Sequence, residues 1–250
     1  MTALAADMLS RNFGGVHALT DVSLAVEPGE RRLIIGPNGA GKTTLFNMLS
    51  GLMPVSSGTV RLFGRDITQV PAYERARMGL ARTFQITNLF PRLTVLENVL
   101  LALLSTDESA FALHCRMAAN HALVEKAEAL LAKWNLTPIT SRTAKEISYG
   151  EQRQVDLILA MAVEPKVLLL DEPTAGLSAA EVVRVVGMIR SLPKDMTILV
   201  IEHDMDVAFD LADRITVLNQ GRLLVEGDVE TVRNDPRVTE IYLGADDEPC

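Results

Sequence analysis

Cysteine is nearly absent from this sequence: Cys115 and Cys250 are the only two in 250 residues. Two thiols so far apart make no disulfide framework, and a reducing compartment is expected. Aromatic residues are scarce at 4%, with a single tryptophan, so aliphatic side chains must build the core. Long apolar runs are missing too. The most apolar stretch, Leu93 to Leu104, is interrupted by Glu97 and Asn98, whereas a membrane span needs about 20 mostly apolar residues. The opening MTALAADMLSRNF has neither the basic start nor the apolar stretch of a signal peptide. Excess positive charge is also lacking: 24 Lys and Arg stand against 32 Asp and Glu, a formal net charge of −8. Broad nucleic-acid binding takes most of its affinity from a basic surface, so no nucleic-acid partner is expected. A cytoplasmic chain is expected, one that docks on a membrane-spanning partner if it works at a membrane.

What is present is an ordinary globular balance, 48% hydrophobic and 22% charged, with no internal repeat. Three short apolar runs, Arg32 to Ile35, Val167 to Leu170 and Thr197 to Ile201, read as strands buried on both faces, as in a parallel sheet covered by helices. Each leads into a glycine-rich or charged turn and then a helical pattern, which argues α/β. Val22 to Val26 and Thr59 to Phe63 alternate like antiparallel strands, and Asn219-Gln220-Gly221 reads as the turn of a hairpin. The stretch from Phe84 to Tyr149 is helical in pattern and reads as an insertion. Within it Leu123, Ala127, Leu130, Leu131 and Trp134 share one helical face and read as core. Ser178 with Glu181 forms a capping-box pattern, and Asp204 and Asp228 read as N-caps.

Gly36-Pro37-Asn38-Gly39-Ala40-Gly41-Lys42-Thr43 matches the P-loop pattern, between a strand and a helical pattern over Thr44 to Leu49. Glycines let successive N–H groups point at one spot, and the following helix presents its positive end there. Lys42 supplies a charge for β- and γ-phosphates, and Thr43 a hydroxyl for Mg2+. Asp171 and Glu172 close the apolar run Val167 to Leu170, and ligand crevices in such sheets lie at the carboxyl ends of strands. Asp171 is placed to hold Mg2+, and Glu172 to orient or deprotonate an attacking water. His203 occupies the next strand tip, within reach of the γ-phosphate, although a lone histidine there is often structural. These features alone leave a kinase, a GTPase and a transport ATPase open.

Ile147-Ser148-Tyr149-Gly150-Glu151-Gln152, with the P-loop, Gln85, Asp171-Glu172 and His203, resembles the ordered motifs of ATP-binding-cassette (ABC) ATPases, over about Leu9 to Gly244. The resemblance implies two cassettes paired head-to-tail around two ATP molecules. It implies that Ser148 and the Gly150 N–H, at the start of a helix beginning near Glu151, touch the partner's γ-phosphate. Phe13 resembles the aromatic that stacks on adenine, and Gln85 the glutamine that reaches Mg2+ and the attacking water. Tyr149 and Glu151 depart from the usual glycine and glutamine, and Ser178 from the aspartate of the subunit-contact loop. Phe13-Gly14-Gly15, Arg82-Thr83-Phe84-Gln85, Ser148 to Arg153 and Ile241 to Gly244 further resemble ATPase subunits of branched-chain amino-acid importers; urea, amide and lipopolysaccharide transport ATPases share parts of this pattern.

The likeness implies a single domain: a P-loop NTPase core, mostly parallel with an antiparallel N-terminal part, over about 1–84 and 155–227. A helical subdomain over about 85–154 and a helical tail over about 228–250 complete it. Its expected partners are a second ATPase subunit, permease subunits in the membrane and, indirectly, a solute-binding protein, with ATP and Mg2+ as ligands at the cytoplasmic face. Residues 85–104, with Phe90, Leu93 and Leu96, are the expected docking surface for the permease.

Overall fold

The computed structural model describes residues 1–83, 89–105 and 121–243. Cys115, Cys250, Gln85, the start and a middle stretch of the expected insertion and the end of the expected tail lie outside them. Strands β1 (Leu4–Phe13), β2 (Val16–Val26), β4 (Ser57–Leu62) and β5 (Arg65–Asp66) form an antiparallel sheet in the order β2-β1-β4-β5. Strands β3 (Arg31–Ile35), β6 (Leu80–Arg82), β7 (Val167–Asp171), β8 (Thr197–Ile201) and β9 (Arg214–Asn219) form a parallel sheet. Its order is β9-β3-β8-β7-β6, with β10 (Arg222–Gly227) antiparallel on the β9 edge. The β9–β10 turn, Gln220-Gly221, has φ of 46° and 74°, the left-handed pair that a two-residue hairpin of this twist requires.

Side chains alternate across a strand, and here the alternation divides two cores. Leu33, Ile35, Leu168, Leu170, Ile198 and Val200 face one way. They pack beneath α3 (Val95–Leu104), α4 (His121–Lys133), α5 (Tyr149–Ala162), α6 (Ala179–Arg190) and α7 (Met205–Leu211). Ala127, Leu131 and Trp134 belong to this cluster, with Leu123 and Leu130 packed against it. Val232 of α8 (Val229–Arg233) and Val238 of α9 (Pro236–Leu243) complete it. Helix α5 runs unbroken through position 154 and contributes Val155 and Ile158, so the helical stretch and the strands share one core. On the opposite face Ile34, Leu169, Leu199 and Ile201 join α1 (Lys42–Leu49) and the inner side of the antiparallel sheet. Each aliphatic side chain buried in this way contributes about 1.5–3 kcal/mol.

Helix α1 is pinned at its far end. Arg75, from α2 (Ala72–Arg77), is buried; its Nη1 donates to the Met48 and Leu49 carbonyls at 2.8 and 2.6 Å, and its Nε to the Val70 carbonyl at 2.8 Å. Burial pulls its pKa down to about 10. Helix α3 begins with a capping box: Thr94 Oγ1 accepts from the Glu97 N–H at 3.1 Å, and Glu97 Oε2 from the Thr94 N–H at 2.7 Å. Thr94→Ala should lower stability by about 1 kcal/mol, read as a lower urea midpoint with an unchanged slope. No helix among the described residues is long and apolar enough to cross a membrane.

Candidate nucleotide-binding site

The loop from Gly36 to Gly41 links β3 to α1, and the helix starts at Lys42, ahead of the Thr44 expected from its pattern. A Cβ at Gly36 would lie 2.1 Å from the Leu218 carbonyl oxygen, so only glycine lets the loop pass β9 this closely. A cavity of about 210 Å3 opens over the loop, lined by Ala18, Asn38 to Thr44, Glu172 and His203. Lys42 is buried, with Nζ donating to the Gly36 and Pro37 carbonyls at 2.6 and 3.0 Å. Burial lowers its pKa, against the opposing pull of the Glu172 and Asp171 charges.

The acidic pair stands at the tip of β7, beside β8. Glu172 adopts φ 47°, a left-handed conformation that costs a non-glycine residue on the order of 1–3 kcal/mol. Its N–H donates to the Ile201 carbonyl at 3.0 Å, and its Oε1 lies 2.7 Å from His203 Nε2. Asp171 is buried, and its Oδ2 accepts from Arg82 Nη2 at 2.6 Å. The structure therefore brings Lys42, Thr43, Thr44, Glu172 and His203 to one cavity, with Asp171 next in the chain behind it.

Other expected residues lie elsewhere. Phe13 is half-exposed at the end of β1, with the Arg11 guanidinium 4.8 Å over its ring, and does not line the cavity. Gln85 falls outside the described residues. Ser148 lines a separate cavity of about 560 Å3 with Lys133, Glu151 and Arg184. The helix after the signature starts at Tyr149, two positions ahead of Glu151, with Ser148 as its N-cap and Glu151 completing a capping box. Glu151 Oε2 accepts from the Ser148 N–H at 2.7 Å, and Ser148 Oγ from the Glu151 N–H at 3.2 Å. The departure at Glu151 thus has a local use. The Gly150 N–H donates to the Glu181 carboxylate, whose pKa is held low chiefly by its bonds with Ser178.

Of the expected docking side chains Phe90 is exposed, while Leu93 and Leu96 are half-buried. The apolar groove on this side is built by others: Leu52, Tyr73, Ala76, Leu80, Ala102 and Leu159 line about 380 Å3. Local patterning missed it, because its walls come from four separate elements. Sequence reading also missed Glu202. Its buried carboxylate accepts from the Thr174 N–H and Oγ1 at 3.0 and 2.7 Å and from the His203 N–H at 3.2 Å, and burial raises its pKa. A lone carboxylate ending an apolar strand was the available signal.

A phosphate loop between a parallel strand and its helix, facing two carboxylates on a nearby strand, defines a P-loop nucleotide-binding protein. Comparison with known proteins narrows the class. The ABC transporter family matches residues 19–175, and a family described as branched-chain amino acid ATP-binding cassette transporter matches residues 222–248. The high-affinity branched-chain amino acid transport ATP-binding protein BraF of Pseudomonas aeruginosa is 39% identical over 243 residues, covering 94% of this chain and 95% of that protein. A solved nucleotide-free cassette from an ABC transporter is 32% identical with a TM-score of 0.86, covering 97% of this chain and 99% of that one. A bacterial ABC transporter cassette solved as a dimer is 25% identical with a TM-score of 0.79, covering 90% and 98%. The chain belongs to the ABC transporter family of ATP-binding cassettes, whose members bind nucleotide.

Proposed function

We propose that this chain is the ATP-hydrolysing subunit of an importer for branched-chain amino acids, working through separate permease subunits at the cytoplasmic face of the membrane. The observation that carries the reading is the 2.7 Å contact between Glu172 and His203 at the mouth of the P-loop cavity. It supports the reading of Glu172 as the carboxylate beside the γ-phosphate and of His203 as its orienting partner. The match of residues 222–248 and the likeness to BraF support the amino-acid assignment.

The phosphate chain of ATP binds the N–H groups of Gly36 to Thr44 and the start of α1. Lys42 leaves its carbonyl partners for β- and γ-phosphate oxygens. Thr43, Gln85 and Asp171 would hold Mg2+; a few oxygen donors beside phosphates suit that ion, which when bound neutralises charge on the phosphate oxygens. Glu172 takes a proton from water as the water oxygen bonds to the γ-phosphorus. The bond from that phosphorus to the bridging oxygen breaks, and ADP leaves with the electron pair. His203 keeps Glu172 and the γ-phosphate in register, and Phe13 stacks on adenine.

Ser148 and Gly150 complete the site from a second subunit, an identical copy or a different ATPase, because in one chain they line no part of the P-loop cavity. The dimeric cassette supports that arrangement. In this reading residues 1–84 and 155–227 are the core, 85–154 the helical subdomain and 228–250 the tail. The apolar groove takes a helix of the permease, which a solute-binding protein feeds from the far side. Leu52 is about half-exposed in the groove. Leu52→Glu should cut co-purification with the permease about tenfold or more, since a charge would be buried there, while basal phosphate release stays within about twofold.

The reading is tested by reconstitution with the permease and binding protein. ATP-dependent uptake of labelled leucine with release of free phosphate is expected. A phosphorylated acceptor in place of phosphate, or hydrolysis that drives urea and not leucine, would overturn it.

A further inference from the structure

Asp171, the carboxylate assigned to the cation, already has a partner. Arg82 ends β6, and its guanidinium is almost wholly buried. Nη2 meets Asp171 Oδ2 at 2.6 Å, while Nη1 donates to Asn47 Oδ1 at 2.7 Å and to Ser50 Oγ at 3.0 Å. The guanidinium also lies 5.7 Å over the Phe46 ring. Asn47 and Phe46 belong to α1 and Ser50 is its C-cap, so the phosphate-loop helix itself aims Arg82. The neighbouring Thr83 N–H donates to the Leu169 carbonyl at 2.9 Å, which locks the end of β6 against β7. A planar fork anchored on one side by neutral acceptors and an aromatic face presents its remaining N–H groups in a fixed direction.

From this geometry we infer that Arg82 is a positioning residue that competes with the divalent cation for Asp171. The inference rests on the reading of Asp171 as the metal carboxylate. A free cation arriving alone meets a fixed guanidinium on the oxygen that it needs. A cation arriving with a triphosphate brings negative charge of its own, and Oδ1 of Asp171 remains available to share. The chain therefore takes up metal together with nucleotide. Arg82 also lines the apolar groove, so one side chain touches both the groove and the metal carboxylate.

The test uses Mn2+ as the probe, titrated into the full-length chain and read by the loss of the free-ion electron paramagnetic resonance signal, with and without ATP. Without ATP, Arg82→Met should bind Mn2+ about tenfold or more tightly than the parent chain, since one neighbouring charge shifts ionic equilibria by that order. Arg82→Lys, which keeps the charge, should stay near the parent. A merely structural arginine would not yield a tighter site on removal, so a folded Arg82→Met with unchanged or weaker Mn2+ binding overturns the inference. Should Arg82→Met not fold, Asp171→Asn decides. It should leave ATP-free Mn2+ binding unchanged, because the carboxylate is already taken, yet weaken Mn2+ binding in the presence of ATP. A loss in the absence of ATP overturns the inference. No change in the presence of ATP overturns the assignment of Asp171 itself and so separates the two failures.

Discussion

Glu172→Gln should reduce phosphate release by about 100-fold or more, the range for a positioned acid–base group, while ATP still binds. The amide keeps the size of the side chain but cannot take a proton from water. His203 keeps a partner, since Gln Oε1 can accept at the same 2.7 Å site. Closure should then persist, because the nucleotide stays intact. A ligand shifts an equilibrium only by its differential affinity for two states, and ATP held between Lys42 of one subunit and Ser148 of another has that property only while it is intact. Gel filtration with MgATP should show the variant as a stable pair where the parent chain returns to the monomer position. Normal turnover, or a variant that pairs neither with itself nor with a second ATPase subunit, would sink the composite site.

Lys42→Ala should weaken ATP binding by about 10- to 100-fold, equivalent to losing charge-assisted hydrogen bonds worth about 1.5–3 kcal/mol. Calorimetry measures this directly. The nucleotide-free chain should not be destabilised in step. Burial already lowers the pKa of Lys42, so its charge is held in the folded chain at a desolvation penalty that alanine removes. What alanine loses are two bonds to the Gly36 and Pro37 carbonyls of the adjoining loop, which offset that penalty only in part. A large fall in affinity with little change in melting temperature separates a phosphate ligand from a lysine that merely braces the loop.

Much of the architecture was legible because the parallel strands are buried on both faces. Val167 to Leu170 and Thr197 to Ile201 read as unbroken apolar runs, and both are strands without an exposed residue. The antiparallel strand β1 was not read. Its register shifts between Ala6 and Leu9, around Met8 at φ 50°, and such an irregularity erases the two-residue period. The start of helix α5, two positions ahead of Glu151, carries the same serine-to-glutamate spacing as Ser178 and Glu181. The P-loop and the acidic pair were visible because each is contiguous. Arg82 on Asp171 and Glu202 on Thr174 were not, since their partners are 89 and 28 positions away and only the sheet brings them together.

The chain bends through a left-handed conformation at Glu172. A chain shaped for durability alone would carry glycine at that bend, where φ is 47°, and would relax. Six other non-glycine residues share a left-handed φ among the described residues, but Glu172 is the one that lines the P-loop cavity, with its oxygen 2.7 Å from His203, so here the discomfort falls where it is useful. Drift toward a sturdier protein at this point is therefore drift toward an idle one.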